Sequence, residues 1–167
     1  MGLKDQTQGA RHPKDPTSRA SSFRNATWSP LLMPTLAQKL IAEEVRVGGL
    51  PANVGRAAFR VCEKMRVPLG ASMGNVGFRS LLRRAHNLAK NDAPWLAKIR
   101  VADDGSFAFS AELEAELDSA AGAEGGAALV SEFLELLSTF IGEALTLRQV
   151  HAVWPKSAFR DFKPAGK

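Results

Sequence analysis

The chain has 167 residues, 45 % of them hydrophobic, which supports one globular domain with flexible ends. Its single cysteine excludes an intramolecular disulfide and fits a reducing cytoplasm. The first 30 or so residues are polar with no apolar core region, so we read no secretory signal there, and Gln6 stands where N-myristoylation needs Ser or Thr.

The net charge of +5 hides a division along the chain. Residues 1–100 hold 17 basic and 6 acidic side chains, residues 101–150 hold 1 basic and 10 acidic, and residues 151–167 hold 4 basic and 1 acidic. Such a split arises when basic and acidic elements of one fold face each other, or when a basic face is left for polyanions.

Residues 1–30, rich in Ser, Thr, Pro and basic side chains without periodicity, read as a disordered basic arm. A helical domain is expected over 31–155, followed by a basic tail at 156–167 that carries Phe159 and Phe162. The first helix runs from Thr35, with Leu36, Leu40, Ile41 and Val45 on one face and Lys39, Glu43, Glu44 and Arg46 opposite, and stops at Gly48-Gly49. Asn53 then caps a helix whose inner stripe is Val54, Ala57, Ala58, Val61, Cys62 and Met65, with Arg56, Arg60 and Lys64 outside. Pro68 is expected to end it, and Leu69–Gly74 to form a loop.

A further helix is expected from Asn75 to Lys90. It turns Phe78, Leu81, Leu82, Ala85, Leu88 and Ala89 inward and Arg79, Arg83, His86, Asn87 and Lys90 outward. Trp95–Val101 and Ser106–Phe109 alternate around Asp103-Asp104-Gly105, the pattern of a small β-hairpin. Ser110 is read as the cap of an acidic helix to about Ala120, and Ala121–Gly126 as a link.

The longest apolar stretch is Gly125–Pro155. Its polar residues Ser131/Glu132, Glu135, Ser138/Thr139 and Gly142/Glu143 recur every three or four positions as one narrow stripe, so the helix is expected at the centre of a bundle. Each carboxylate near a bilayer centre costs roughly 2–3 kcal/mol, whereas each Leu, Ile or Phe returns only about 0.3–0.6, so the three Glu argue against a membrane span. Thr146 and Gln149 match a capping box, with Leu145 and Val150 as its staple, which places a break near 144–146 and a second helix from Leu147 to Trp154.

The fold expected is therefore mainly α, a bundle of five or six helices around a central apolar helix with one small β-hairpin. Gly70, Gly74 and Gly77 precede and open a helix, an arrangement that can cradle phosphate on free N–H groups. They match neither the Walker A loop nor the dinucleotide fingerprint, and a flexible interhelical turn explains them as well. Ala85-His86-Asn87-Leu88-Ala89-Lys90 resembles the phosphoacceptor helix of histidine phosphotransfer domains. In those domains Lys and Gly follow the histidine at the third and fourth positions, here Ala89 and Lys90, so the Gly that gives access to the imidazole is missing.

No Glu-x-x-His or Cys-x-x-Cys spacing points to a metal, no cofactor motif is found, and Cys62 lies on an inner stripe. Without a paired acid and base or an activated nucleophile, no reaction can be named. The leading expectation is a small non-enzymatic interaction or regulatory protein of the cytoplasm that self-associates or binds a protein partner. The alternative is DNA or RNA binding through the basic faces of helices 54–66 and 75–90, namely Arg56, Arg60, Lys64, Arg79, Arg83 and Lys90.

Overall fold

Met33, Leu36, Ala37, Leu40, Ile41 and Glu44 recur at helical spacing and form the buried edge of the first helix, α1 (Leu32–Gly48). A computed structural model describes residues 32–48 and 54–156 of the chain. The arm at 1–30, the Asn53 cap and the tail from residue 157 lie outside the described residues.

Helix α2 (Val54–Ala89) departs from the expected pattern at both of its punctuation marks. It runs through Pro68 and bends instead at Gly74, whose φ of 79° and ψ of 158° are non-helical. A proline inside a helix costs about 3 kcal/mol. Here the core stripe Ala58, Val61, Cys62, Met65 continues one turn further to a fully buried Leu69, so burial holds the turn after the proline in place. The expected loop at Leu69–Gly74 is thus helical up to its last residue, and Ser72 Oγ donates back to the Pro68 carbonyl at 2.9 Å.

Beyond Ala89 the chain turns through Asn91 and Asp92 into a short 3-10 helix at Pro94–Lys98, which replaces the expected start of the first strand. Strands β1 (Arg100–Val101) and β2 (Phe107–Ala108) pair antiparallel, Arg100 opposite Ala108 and Val101 opposite Phe107. Their turn is the expected one. Asp104 Oδ1 accepts from Ser106 N and Oγ at 2.9 and 2.6 Å, and Gly105 takes φ 82°.

Helix α3 (Ala111–Leu117) follows; Ser110 occupies its N-cap position, but its side chain makes no cap hydrogen bond. The central helix α4 (Ala120–Ile141) takes in the whole of the expected link Ala121–Gly126, which is itself helical, and Ser119 Oγ caps it by accepting from Gly122 N at 3.1 Å. Small residues there let α4 cross α2 closely: a Cβ on Gly126 would stand 2.7 Å from the Ala58 Cβ. Further along, Phe133 meets Phe78 of α2 edge-to-face with ring centroids 6.0 Å apart.

Two helices do divide the apolar stretch, but at Gly142, with φ 89°, rather than at 144–146. Helix α5 (Glu143–Val153) has Thr146 in its first turn, buried, with Oγ1 donating to the Gly142 carbonyl at 2.9 Å. Leu145 is 40 % exposed and forms no staple. The result is five α-helices and a two-stranded hairpin among the described residues, with α4 packed against α1, α2 and α5. No helix among the described residues is long and apolar enough to cross a membrane.

Candidate functional site

Arg56, Phe59, Arg60 and Glu63 of α2 stand at i, i+3, i+4 and i+7, one face of the helix. Phe107 and Phe109, two apart, leave the hairpin on one side. Glu114 and Leu117 are three apart on α3. These residues line one open groove of about 280 Å³.

Its floor is aromatic. The Phe59 ring meets Phe107 and Phe109 edge-on at centroid distances of 4.8 and 5.0 Å, while Phe107 and Phe109 lie 6.4 Å apart. Phe59 is buried, whereas Phe109 keeps 40 % of its surface in solvent. The sequence pattern conceals Phe59, because it falls between the inner apolar stripe at Ala58 and the basic outer stripe at Arg60. The alternation of Phe107 and Phe109 was visible, but nothing in the sequence brought that hairpin to α2.

Charges surround this floor. Arg56 Nε lies 3.3 Å from Asp118 Oδ1 and its Nη2 3.7 Å from Glu114 Oε2. Arg66 reaches Glu63 at 3.6 Å and Asp104 at 3.7 Å. Arg60 is exposed and forms no ion pair among the described residues. Its guanidinium turns towards the end of α1, where a Cβ on Gly48 would come within 2.6 Å of Nη1. Among the described residues, Arg60 is therefore a cation of the groove whose charge no carboxylate balances.

The six basic residues singled out in the sequence are divided among different partners. Arg56 belongs to the groove. Lys64 Nζ donates to Glu44 Oε1 at 2.5 Å, and the Trp154 indole N–H donates to the same oxygen at 2.8 Å. Glu44 was expected on an outer face and is 2 % exposed instead. Arg79 donates to the Asp103 carbonyl at 3.0 Å, and Arg83 to the Asp103 carboxylate at 3.2 Å and the Val101 carbonyl at 3.4 Å. Lys90 donates to Asn87 at 2.9 Å.

The acidic segment thus lies over much of the basic helix, through side chains on the hairpin and α3. These are surface pairs: Asp103 is 92 % exposed, and such pairs are worth about 0–1 kcal/mol each. Gly70 and Gly77 lie inside helical turns of α2, and Gly74 is a bend, so the three glycines do not form a loop.

His86 corrects an expectation as well. It is 5 % exposed rather than outward-facing, with Nε2 2.8 Å from the Leu96 carbonyl oxygen, to which it donates as neutral imidazole. Burial holds its pKa below the ordinary histidine value against the opposing pull of that carbonyl. Cys62 is fully buried, and desolvation pushes its thiol up to about 12, far from a nucleophile's range.

Glu132 and Glu135 on α4 are raised by desolvation, Glu132 further by Asp92 and Glu135 further by Glu132. Neither pairs with the arginines of α2 among the described residues. No three of the described His, Cys, Asp and Glu side chains converge in a way that would hold a metal ion. No family model, curated protein or solved structure matches this chain.

Proposed function

We propose that the protein is a non-enzymatic binding protein that takes a segment of polypeptide in the groove between α2, the hairpin and α3. One observation carries the reading: Phe109, on an aromatic floor and beside the unbalanced Arg60, is left 40 % exposed. Folding gains by burying a phenylalanine, and aromatic residues and arginine are the side chains that carry most binding energy at protein interfaces. An aromatic side chain next to a carboxylate is the chemistry such a groove takes.

The test is a photo-crosslinking phenylalanine analogue at position 109 of the full chain, irradiated in the cells that produce it. Discrete polypeptide adducts that diminish with Arg60→Glu support the reading. Absence of adducts, or adducts indifferent to Arg60→Glu, sinks it. An adduct of twice the chain's mass identifies a second copy as the partner.

Nucleic-acid binding is the second reading, supported by Arg60, Arg84, Lys98 and Arg100, which are exposed and form no ion pair among the described residues. It requires displacing the weak surface pairs of Arg56, Arg79 and Arg83. Its signature is an affinity that falls steeply with salt and weakens in Arg56→Ala combined with Arg83→Ala.

A further inference from the structure

We propose that the groove takes its polypeptide as a third strand, an extended segment paired backbone to backbone with the open edge of β2. Alternate side chains of that segment, an aromatic and a carboxylate, meet Phe109 and Arg60. The inference rests on the polypeptide-binding reading of the groove and adds the manner of binding and the class of segment bound.

The open edge follows from the register of the hairpin. Ala102 N donates to the Ser106 carbonyl at 2.8 Å, and Arg100 stands opposite Ala108. Bonded and non-bonded pairs alternate along an antiparallel ladder, so 102–106 and 100–108 are bonded pairs and Val101–Phe107 lies between them. A trans peptide unit points its C=O and N–H in opposite directions, and no peptide bond of the described residues is cis. The Ser106 and Ala108 carbonyls and the Ala108 N–H are turned to β1. The Phe107 N–H and C=O and the Phe109 N–H are therefore turned away from it. Among the described residues these groups have no backbone partner, and β2 has no neighbouring strand but β1. The other edge of the hairpin differs, because there the Val101 carbonyl accepts from Arg83. Edge strands are commonly blunted by charge or proline, and Phe107-Ala108-Phe109 carries neither.

This edge lies beside the groove. The Phe107 and Phe109 side chains line it and meet Phe59, whereas β1 lies on the Arg83 side. A strand added to β2 places every second side chain alongside the Phe107 and Phe109 row. The half-exposed Phe109 ring there takes an aromatic or apolar side chain. Glu63 and Glu114 also line the groove, but each already has an arginine, Arg66 at 3.6 Å and Arg56 at 3.7 Å. Arg60 is the charge left to match, and it calls for a carboxylate. In strand addition the main chain supplies affinity and the alternate side chains supply specificity. The segment is thus extended, with aromatic and acidic residues two apart.

The test uses the full chain and a fluorescein-labelled peptide, Thr-Phe-Thr-Asp-Thr-Phe-Thr, whose Phe and Asp side chains share one face when it is extended. Binding read by fluorescence anisotropy should weaken several-fold in Arg60→Glu, with circular dichroism checking the fold. Backbone N-methylation of the Phe and Asp residues, or of the internal Thr residues, blocks one edge of the peptide at a time. One set should weaken binding about tenfold and the other leave it unchanged, since only one edge meets β2. Amide exchange at Phe107 and Phe109 should slow when the peptide is added, while Ala108, already bonded to β1, should not change. Equal response to both methylation sets, unaltered exchange at Phe107 and Phe109, or no binding overturns the proposal. Slowing of those two amides that grows with protein concentration in the absence of peptide overturns it in favour of a second copy paired edge to edge. Failure here with adducts persisting at position 109 removes only the strand pairing, whereas loss of those adducts removes the binding reading itself.

Discussion

Trp154 and Glu44 are joined by a 2.8 Å hydrogen bond across 110 positions of sequence, indole N–H to carboxylate oxygen. The same oxygen takes Lys64 Nζ, so one buried carboxylate ties α1, α2 and the end of α5 together. A carboxylate 2 % exposed is tolerable only while it is paired.

Removing one partner leaves the other, so Trp154→Phe should cost about 1 kcal/mol and Lys64→Met about 1–2 kcal/mol, the latter moderated because Lys64 is 43 % exposed. Removing both leaves the charge stranded, and the double variant should lose more than the sum. Adding Glu44→Met to that double should recover stability. Urea unfolding of the four proteins measures each difference, and simple additivity of the first two would count against a shared carboxylate.

His86 gives the fold an acid-side sensitivity. Its folded pKa is held below the unfolded value of about 6.5, so its contribution to stability is fully present above that pH. As pH falls from about 6.5 through the folded pKa, the unfolded state binds the proton first and stability is lost. Glu132 and Glu135, raised above the ordinary carboxyl value by desolvation, give stability that is lost as pH rises through their folded pKa values, the opposite trend. Comparing urea midpoints of the wild type and His86→Gln over the same pH series therefore isolates the histidine. The midpoint should drop towards the acid end and be flatter in His86→Gln, whose amide N–H can still reach the Leu96 carbonyl.

Much of the fold was legible because its signals are local. The stripes of α1 and α2, the Asp103-Asp104-Gly105 turn and the apolar circumference of α4 all follow from spacing within one element. The structure departs from the sequence pattern where tertiary burial, or a stronger local breaker, outweighs a local signal. Leu69 keeps α2 helical past Pro68, and Gly142 breaks the chain before the capping box at Thr146 can. The groove was largely illegible because it joins Phe59 to Phe107 and Phe109 across about fifty residues, with no motif at either end. The charge division was legible, but which arginine each acid meets was not.

The crossing of α2 and α4 supplies a third prediction. Gly126→Ala puts a methyl 2.7 Å from the Ala58 Cβ, closer than two carbons pack. The variant should lose about 1–3 kcal/mol. Ala58→Gly removes the opposing methyl, so the double variant should be more stable than the sum of the two single losses. A double-mutant cycle in urea reads the coupling, and additivity would mean the helices separate rather than clash.

The two bends test whether the chain's turns are imposed by backbone or by packing. Gly74 (φ 79°, ψ 158°) and Gly142 (φ 89°, ψ 153°) adopt nearly the same conformation, one essentially reserved for glycine. An added Cβ would meet nothing within 4 Å at either site, so replacement carries a conformational cost without a steric one. Gly74→Ala and Gly142→Ala should therefore each lose about 1–3 kcal/mol. Gly77, inside a helical turn with Met73 Cγ at 3.4 Å from the added carbon, should instead gain about 0.5–1 kcal/mol on replacement by Ala. The bend at Gly142 also returns α5 towards α2, where Gln149 Nε2 lies 3.3 Å from Ser72 Oγ, so its loss should be felt in α5. Amide exchange in α5 that quickens in Gly142→Ala but not in Gly77→Ala would locate the cost there, and equal behaviour of the two variants would show that packing, not the glycine, makes the turn.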